Sequence, residues 1–164
     1  MNFQQFFEAL AQDGIDYVLV GGLAVSLHGV VRGTMDVDIA MSMDDANVVR
    51  FIALARRTGL NPSIPVSIDE LGNAAQLDRW FQDKGMITFS LRESAPAGLV
   101  VDVLVRPRVA FETLRARSVT KPFGAVGIRI ASIADLIELK TGTGRSIDAF
   151  DIAQLSQLDR KGHE

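Results

Sequence analysis

Residues 17–41 read YVLVGGLAVSLHGVVRGTMDVDIAM, and this stretch determines the fold that we predict. Four apolar residues (17–20), typical of a strand, end at the adjacent glycines Gly21 and Gly22. A short helical pattern over residues 23–27 follows, and a loop containing Arg32 and Thr34 leads into residues 35–41, where apolar and acidic residues alternate. The stretch therefore predicts a strand, a glycine turn, a helix, a basic loop and a second strand, in that order.

The second strand carries two acidic residues, Asp36 and Asp38, separated by one position. Because successive side chains of a strand point to opposite faces, Val37 and Ile39 share one face and the two aspartates share the other. Two neighbouring carboxylates repel each other unless a cation lies between them. Magnesium is a suitable cation, since it takes oxygen ligands and is commonly held by one or two carboxylates together with substrate phosphates.

Both features of this stretch have plainer explanations. An Asp-x-Asp sequence is common in turns, where short acidic side chains accept hydrogen bonds from the backbone. The glycine pair is also compatible with an ordinary turn that needs positive φ. It is not the dinucleotide-binding fingerprint, which requires G-x-G-x-x-G at the start of a helix. The order of the elements, rather than either motif alone, favours a functional site.

The composition of the 164-residue chain is that of an ordinary globular protein, with 48% hydrophobic and 23% charged residues. The length predicts one domain, or one domain with a small helical appendage. The absence of cysteine excludes disulfides, zinc–thiolate sites and a thiol nucleophile. A net charge of −3 argues against broad coating of nucleic acid. Without a basic segment before the apolar N-terminus or a long apolar run, we expect a cytoplasmic protein with no membrane span.

A third acidic residue, Asp102, interrupts the apolar run LVVDVLV at residues 99–105. A run of this length predicts a central strand covered on both faces, where an unpaired carboxylate would cost several kcal/mol. A bound metal ion is one partner that would explain its presence. The alternatives are a solvent-facing position, or an ion pair with Arg92 or Arg106.

The remaining pattern predicts alternating helices and strands of an α/β or α+β fold. An amphipathic helix over residues 2–12 precedes the quoted stretch, and Ser42 with Asp45 resembles a capping box for a helix that ends near Gly59. Residues 61–75 are predicted to be partly loop. Further predicted elements are a piece over 77–82 containing Trp80, a hairpin of 86–92 and 99–105, a helix over 107–117, and a hairpin of 119–123 and 125–130.

Two helices are predicted at the C-terminal end of the chain. Ser132 is placed to cap a helix over residues 133–141, which carries Lys140. The last helix, over residues 146–158, is expected to point five apolar side chains inward, and residues 159–164 are expected to fray. The five are Ile147, Phe150, Ile152, Leu155 and Leu158. Arginines around residues 106–117 predict a solvated basic face, with a polyphosphate or RNA groove as the sharper alternative.

These residues resemble the nucleotidyltransferase superfamily with the DNA polymerase beta-like fold, and within it the AbiEii toxin-like and other minimal nucleotidyltransferases. The superfamily pattern is an apolar residue, two small residues, a spacer of about a dozen, an Asp-x-Asp pair and a third carboxylate on a later strand. Val20-Gly21-Gly22, thirteen residues, Asp36-Val37-Asp38 and Asp102 match it. The AbiEii-like group adds residues that match His28-Gly29, Arg32, Thr34, Lys140, Gly144-Arg145, Asp148 and Asp151.

The resemblance implies an α+β nucleotidyltransferase fold, with a small mixed central sheet, flanking helices and a C-terminal helical segment. Residues 1–130 would form the core and residues 131–164 a helical segment packed on it. Asp36, Asp38 and Asp102 would be both the catalytic residues and the ligands of two Mg²⁺ ions, with Mn²⁺ as the alternative. Nucleotide phosphates would contact Gly21, Gly22, Arg32, Thr34 and Lys140. Lys140 is equally compatible with a surface position, and the roles of Arg145, Asp148 and Asp151 are open.

The activity implied is transfer of an NMP from an NTP, such as ATP, to a hydroxyl of RNA, tRNA, a protein or a small molecule. The resemblance also suggests a toxin–antitoxin or phage-defence system with a cognate partner. A second hypothesis is a catalytically weak or inactive protein of this fold that acts as a nucleotide-binding or regulatory partner. A third, nucleotide-sugar binding through Asp-x-Asp, gives the glycine pair no role.

Overall fold

The computed structural model describes residues 1–162. Within them the strands are Tyr17–Val20 (β1), Asp36–Met41 (β2), Leu60–Pro62 (β3), Thr88–Glu93 (β4), Val100–Leu104 (β5), Val119–Phe123 (β6) and Val126–Ile130 (β7). The helices are Phe3–Gln12 (α1), Gly21–Leu27 (α2), Asp45–Thr58 (α3), Ala74–Lys84 (α4), Phe111–Arg117 (α5), Ile133–Lys140 (α6) and Ser146–Gly162 (α7), with a 3-10 helix at Ile68–Gly72.

One mixed sheet of seven strands organises the molecule, in the order β3-β4-β5-β2-β1-β7-β6. β2 pairs in parallel with β5 and antiparallel with β1, while β1 pairs in parallel with β7. The two predicted hairpins, β4–β5 and β6–β7, are confirmed as antiparallel pairs. The predicted mixed α+β fold with a central sheet and flanking helices is therefore confirmed.

The hydrophobic core lies on the face of the sheet that carries Val37 and Ile39. These two side chains are opposite Val101 and Val103 of β5, and all four are fully buried. Helix α1 lies on this side, where the ring of Phe7 stacks on Tyr17. The other face of β2 and β5 carries the aspartates, so the alternation in the sequence is confirmed.

Three local predictions need correction. The N-cap of α3 is Asp44, whose side chain accepts a hydrogen bond from the Asn47 amide, and Ser42 instead donates to Asp44. Helix α5 begins at Phe111 rather than Pro107. Strand β5 is covered on one face only, since buried and half-buried residues alternate along it. Its apolar run was misleading because Val100 and Leu104 share the half-open face with Asp102.

The predicted inward face of α7 is only partly correct, because Leu155 and Leu158 contact the core but Ile147 and Phe150 do not. Ile147 and Phe150 are 42% and 44% exposed, whereas Leu155 is buried. Asp148 and Asp151 are buried in their place, because cations from α6 and from the loop before β2 pair with them. The predicted fraying of residues 159–164 is not seen up to residue 162, which is helical, and residues 163 and 164 lie outside the described part. In residues 1–162 no helix combines the length and the apolar character needed to cross a lipid bilayer.

Candidate active site

Three carboxylates converge on the half-open face of the sheet. Asp36 and Asp38 point to this face from β2, and Asp102 lies on β5 directly opposite Asp38 in the parallel pair. One carboxylate oxygen from each lies within 4.8 Å of the others, and all three residues are half-buried. The pairing register alone produces this cluster, since residues opposite each other on adjacent strands project to the same side. We call Asp36, Asp38 and Asp102 the acidic cluster.

The acidic cluster holds more negative charge than its surroundings neutralise. Burial, and then the charges of Asp36 and Asp102, raise the pKa of Asp38 to about 6, although Lys140 and the backbone N–H of Gly22 act in the opposite direction. A cation with oxygen ligands would relieve this repulsion. The donor set, three carboxylates in mutual reach on one rigid face, therefore fits a divalent ion such as Mg²⁺ or Mn²⁺.

Hydroxyl groups on two sides fix the orientation of the acidic cluster. The Thr34 hydroxyl donates to Oδ1 of Asp36 at 2.7 Å, and the Ser90 hydroxyl on β4 donates to Oδ1 of Asp102. Thr34 was predicted to contact the nucleotide, and in this structure its hydroxyl is engaged by the carboxylate. Ser90 was missed by the sequence analysis. Its signal is its register, since it lies opposite Asp102 in the β4–β5 hairpin.

The glycine pair is packed against the acidic cluster and the basic loop. Gly21 has φ +64°, and a Cβ there would lie 1.9 Å from Oδ2 of Asp38. A Cβ on Gly22 would lie 2.8 Å from the guanidinium carbon of Arg32. Both positions therefore exclude side chains because functional groups of other segments occupy that space. The backbone N–H of Gly22 lowers the pKa of Asp38, which agrees with the position of the glycine turn beside the acidic cluster.

The two cations predicted to contact phosphates are already paired with carboxylates of α7. Arg32 Nη1 lies 2.6 Å from Oδ2 of Asp151, and Lys140 Nζ lies 2.9 Å from both Asp148 and Asp151. Lys140 is 7% exposed, so the alternative of a surface lysine is wrong. The charge of Lys140 also lowers the pKa of Asp38, so Lys140 acts on the acidic cluster as well as on α7.

The residues whose roles were open, Asp148, Asp151 and Arg145, belong to this ionic network. Burial opposes the charge of Asp148, but hydrogen bonds from Thr143, Lys140 and Arg145 outweigh it and lower the pKa of Asp148. Asp151 is completely buried, and its Oδ1 has no hydrogen-bond partner within residues 1–162. The network therefore attaches α7 to the site through charge, in addition to the apolar contacts of Leu155 and Leu158 with the core.

Three other residues lie away from the chemistry. Nε2 of His28 lies 2.8 Å from the carbonyl oxygen of Ala131, and burial lowers its pKa, which indicates a structural imidazole. Trp80 is half-buried against the core on α4. Arg106 pairs with Asp78 and not with Asp102, so the ion-pair explanation of Asp102 is wrong for Arg106. Arg92 forms no ion pair with Asp102 either, among the residues that the structure describes.

Comparison with solved structures relates this arrangement to known proteins. The lincosamide antibiotic adenylyltransferase LnuA, in its lincomycin-bound crystal structure, superposes with a TM-score of 0.62 at 14% identity, over 96% of this chain and 98% of LnuA. This chain has the nucleotidyltransferase fold. An antigenic nucleotidyltransferase-like protein from Paracoccidioides brasiliensis matches with a TM-score of 0.57 and 16% identity, over 94% and 72% of the two chains.

A further nucleotidyltransferase-fold neighbour is ANT(2")-Ia in complex with adenylyl-2"-tobramycin. Its TM-score is 0.54 at 12% identity, over 92% of this chain and 83% of that chain. No protein-family model and no curated protein sequence matches the chain. Affiliation with the AbiEii-like group within the nucleotidyltransferase fold stays a prediction, as does the division at residue 130.

Proposed function

We propose that this protein is a nucleotidyltransferase that moves an NMP from an NTP to a hydroxyl group of an acceptor. The observation that carries the proposal is the acidic cluster, in which Asp36, Asp38 and Asp102 lie within 4.8 Å of one another beside the glycine turn. The nucleotidyltransferase fold raises its plausibility but does not establish activity. Two divalent ions bound by these carboxylates would stabilise the attacking and leaving oxygens of the transfer.

The side chains of this protein have distinct roles in the proposed reaction. Asp36 and Asp38 would hold the ions from one strand, and Thr34 orients Asp36. Asp102 faces the acceptor side and accepts the hydroxyl proton, and Ser90 keeps its carboxylate in place. A backbone N–H of the glycine turn, together with Arg32 and Lys140, binds the triphosphate.

The acceptor and the biological setting rest on different arguments. The almost complete overlap with LnuA, an antibiotic adenylyltransferase of similar length, supports a small molecule and supports ATP as the donor. The sequence resemblance to AbiEii-type proteins supports tRNA or protein as the acceptor, in a cytoplasmic toxin–antitoxin or phage-defence system with a cognate partner. We place the small molecule first, because the superposition extends over the whole chain.

Label transfer tests the activity directly. The purified protein is incubated with each α-labelled NTP, Mg²⁺ or Mn²⁺, and separate tRNA, protein and small-molecule fractions of a cell extract. We expect a labelled product in one fraction that requires the metal ion and is lost in Asp36→Asn/Asp38→Asn. Asp83→Asn, an exposed aspartate on α4, is the matched control and should leave transfer unchanged. Unchanged transfer by the double variant would refute the assignment of the acidic cluster.

One observation favours the second function, a nucleotide-binding or regulatory protein without turnover. Both Arg32 and Lys140 are neutralised by buried carboxylates, which reduces the positive charge available to a triphosphate. Saturable, metal-dependent NTP binding without labelled product in any fraction would support this alternative.

A further inference from the structure

A large cavity opens at the end of the sheet nearest Asp36. It has a volume of about 730 Å³ and lies between the start of α1, the loop before β2 and the β4–β5 loop. Most of its wall is apolar, with Phe3, Met35, Leu99 and Phe123 among the lining residues. Met35 is 85% exposed there. We call this space the end cavity.

The end cavity adjoins the acidic cluster at Asp36. Val100 lines it and is the direct partner of Asp36 in the β2–β5 pair, so the two side chains are neighbours on one face. Thr34 also lines it and donates its hydroxyl to Asp36. Because adjacent strands lie about 5 Å apart, the part of the wall formed by Val100 and Thr34 lies next to Asp36.

The end cavity carries one unbalanced positive charge. Arg92 is the only charged side chain of its wall among residues 1–162, and it has neither an ion pair nor a side-chain hydrogen bond there. The neighbouring Glu93 is already engaged, since it accepts from the Met1 amino group at 2.8 Å and from the Leu99 N–H. Arg92 lies opposite Val100, on the same face as the acidic cluster. A guanidinium in this position suits a carboxylate or another planar anion.

We propose that the end cavity is the acceptor site, and that it takes a small amphipathic alcohol that carries an anionic group. The apolar body of the acceptor lies against Phe3, Leu99 and Phe123, its anionic group pairs with Arg92, and its hydroxyl faces the acidic cluster. This inference rests on the proposed nucleotidyl transfer and specifies its substrate class. It excludes polycationic alcohols, which the free guanidinium repels.

The transfer step balances without any further reactant. The acceptor hydroxyl oxygen forms a bond to the α-phosphorus, and the bond from that phosphorus to the bridging oxygen breaks. Pyrophosphate leaves with the electron pair, and the hydroxyl proton passes to Asp102 and then to water. The product is the NMP ester of the alcohol.

Three probes of equal length test the assignment: ω-hydroxydodecanoate, dodecane-α,ω-diol and ω-aminododecanol. Their binding to the Mg²⁺-loaded protein is measured by calorimetry, independently of turnover. We expect ω-hydroxydodecanoate to bind about tenfold more tightly than the diol, because it adds a charge-assisted hydrogen-bonded pair, and the amino alcohol to bind most weakly. Label transfer from an α-labelled NTP should follow the same order.

Variants separate the end cavity from other apolar surface. Arg92→Gln should reduce the affinity for ω-hydroxydodecanoate to that for the diol, whereas Arg79→Gln, an exposed arginine without an ion pair among the described residues, should not change it. Ala97→Trp, on the exposed part of the wall, should weaken all three probes by filling the space. Equal affinity for the three probes, or no effect of Arg92→Gln and Ala97→Trp, would overturn the inference.

Failure of this inference is distinguishable from failure of the proposed function. Label transfer to tRNA or protein by a protein that binds none of the probes would overturn the acceptor assignment alone. If the probes bind with the expected order of affinities but no label is transferred from any NTP to any acceptor, the acceptor role is overturned together with the nucleotidyltransferase proposal.

Discussion

Gly21 shows how strictly a single residue is constrained at the site. Its φ of +64° disfavours any side chain, and a Cβ would also collide with Oδ2 of Asp38. Gly85 has the same φ of +64° but nothing within 4 Å of its virtual Cβ. A comparison of the two glycines therefore distinguishes the cost of backbone strain from the cost of a clash with the acidic cluster.

Replacing each glycine by alanine measures the two effects. Gly85→Ala should lower the free energy of unfolding by about 1 kcal/mol through the left-handed backbone. Gly21→Ala should lose a further 1–3 kcal/mol, roughly, because Asp38 must move. Urea unfolding of both variants gives the comparison. Equal losses would show that Asp38 adapts freely and that the contact is unimportant.

The ionisation of Asp38 makes the folding stability of the metal-free protein depend on pH. Its pKa is raised to about 6 in the folded state, chiefly by burial, whereas an unfolded chain would titrate near 4. The folded state therefore holds its proton more tightly, and the stability present below about pH 4 is lost as the pH rises through 6. This pKa difference between the folded and unfolded states corresponds to roughly 3 kcal/mol of folding stability.

Asp38→Asn should remove this pH dependence. In the presence of a chelator, we expect the variant to be more stable than the natural protein at about pH 7.5 and to lose that advantage at about pH 4. Thermal unfolding across the pH range measures the difference. A natural protein whose metal-free stability is constant between these values would contradict the raised pKa.

Helix α7 shows at the scale of an element how polar residues replace an apolar face. The helical period of its apolar residues predicted that Ile147 and Phe150 point inward. In the structure Asp148 and Asp151 are buried instead, and they form ion pairs with Lys140 and Arg32. An amphipathic pattern cannot reveal this arrangement, because it ranks side chains by hydrophobicity and ignores partners from distant segments. The docking of α7 on the site therefore depends on ion pairs.

Asp151→Asn tests that dependence. Arg32 and Lys140 would both lose a carboxylate partner in a buried setting, and we expect the free energy of unfolding to fall by about 3–5 kcal/mol. The matched control is Asp69→Asn, which removes an exposed pair with Arg56 of nearly equal length, 2.7 Å against 2.6 Å. That variant should cost less than about 1 kcal/mol. Similar losses in chemical denaturation would contradict a structural role of the network.

At the scale of the whole molecule, metal binding at the acidic cluster would be coupled to folding. A divalent ion that binds only the folded state stabilises it by about 2.7 kcal/mol at a hundredfold excess over Kd, or roughly 5–10 °C for a domain of this size. We expect Mn²⁺ or Mg²⁺ to raise Tm at about pH 7.5 and to do so much less at about pH 5, where the proton on Asp38 competes.

Asp102→Asn is the control for this metal effect, since it removes one ligand and leaves the sheet register intact. Its Tm should respond only weakly to the ion at either pH. An equal response of the natural protein and the variant in a thermal-shift titration would show that the ion binds elsewhere.

Much of this architecture could be predicted from the sequence, for reasons that differ between residues. The positions of Asp36 and Asp38 on one face follow from the two-residue period of a strand. Their meeting with Asp102 required the order and register of strands, which only the resemblance supplied. Ser90, the pairing of Arg32 with Asp151 and the end cavity could not be predicted, because each joins segments far apart in the chain through tertiary contacts.

The parallel pairing of β2 with β5 also has a consequence for misfolding. A slip of one residue between these strands would turn Asp102 toward the side of Val37 and Ile39 and expel two valines into water. A displaced strand would therefore disrupt the hydrophobic core and the acidic cluster together. A molecule that has buried its valines correctly has, by the same act, assembled its three acids.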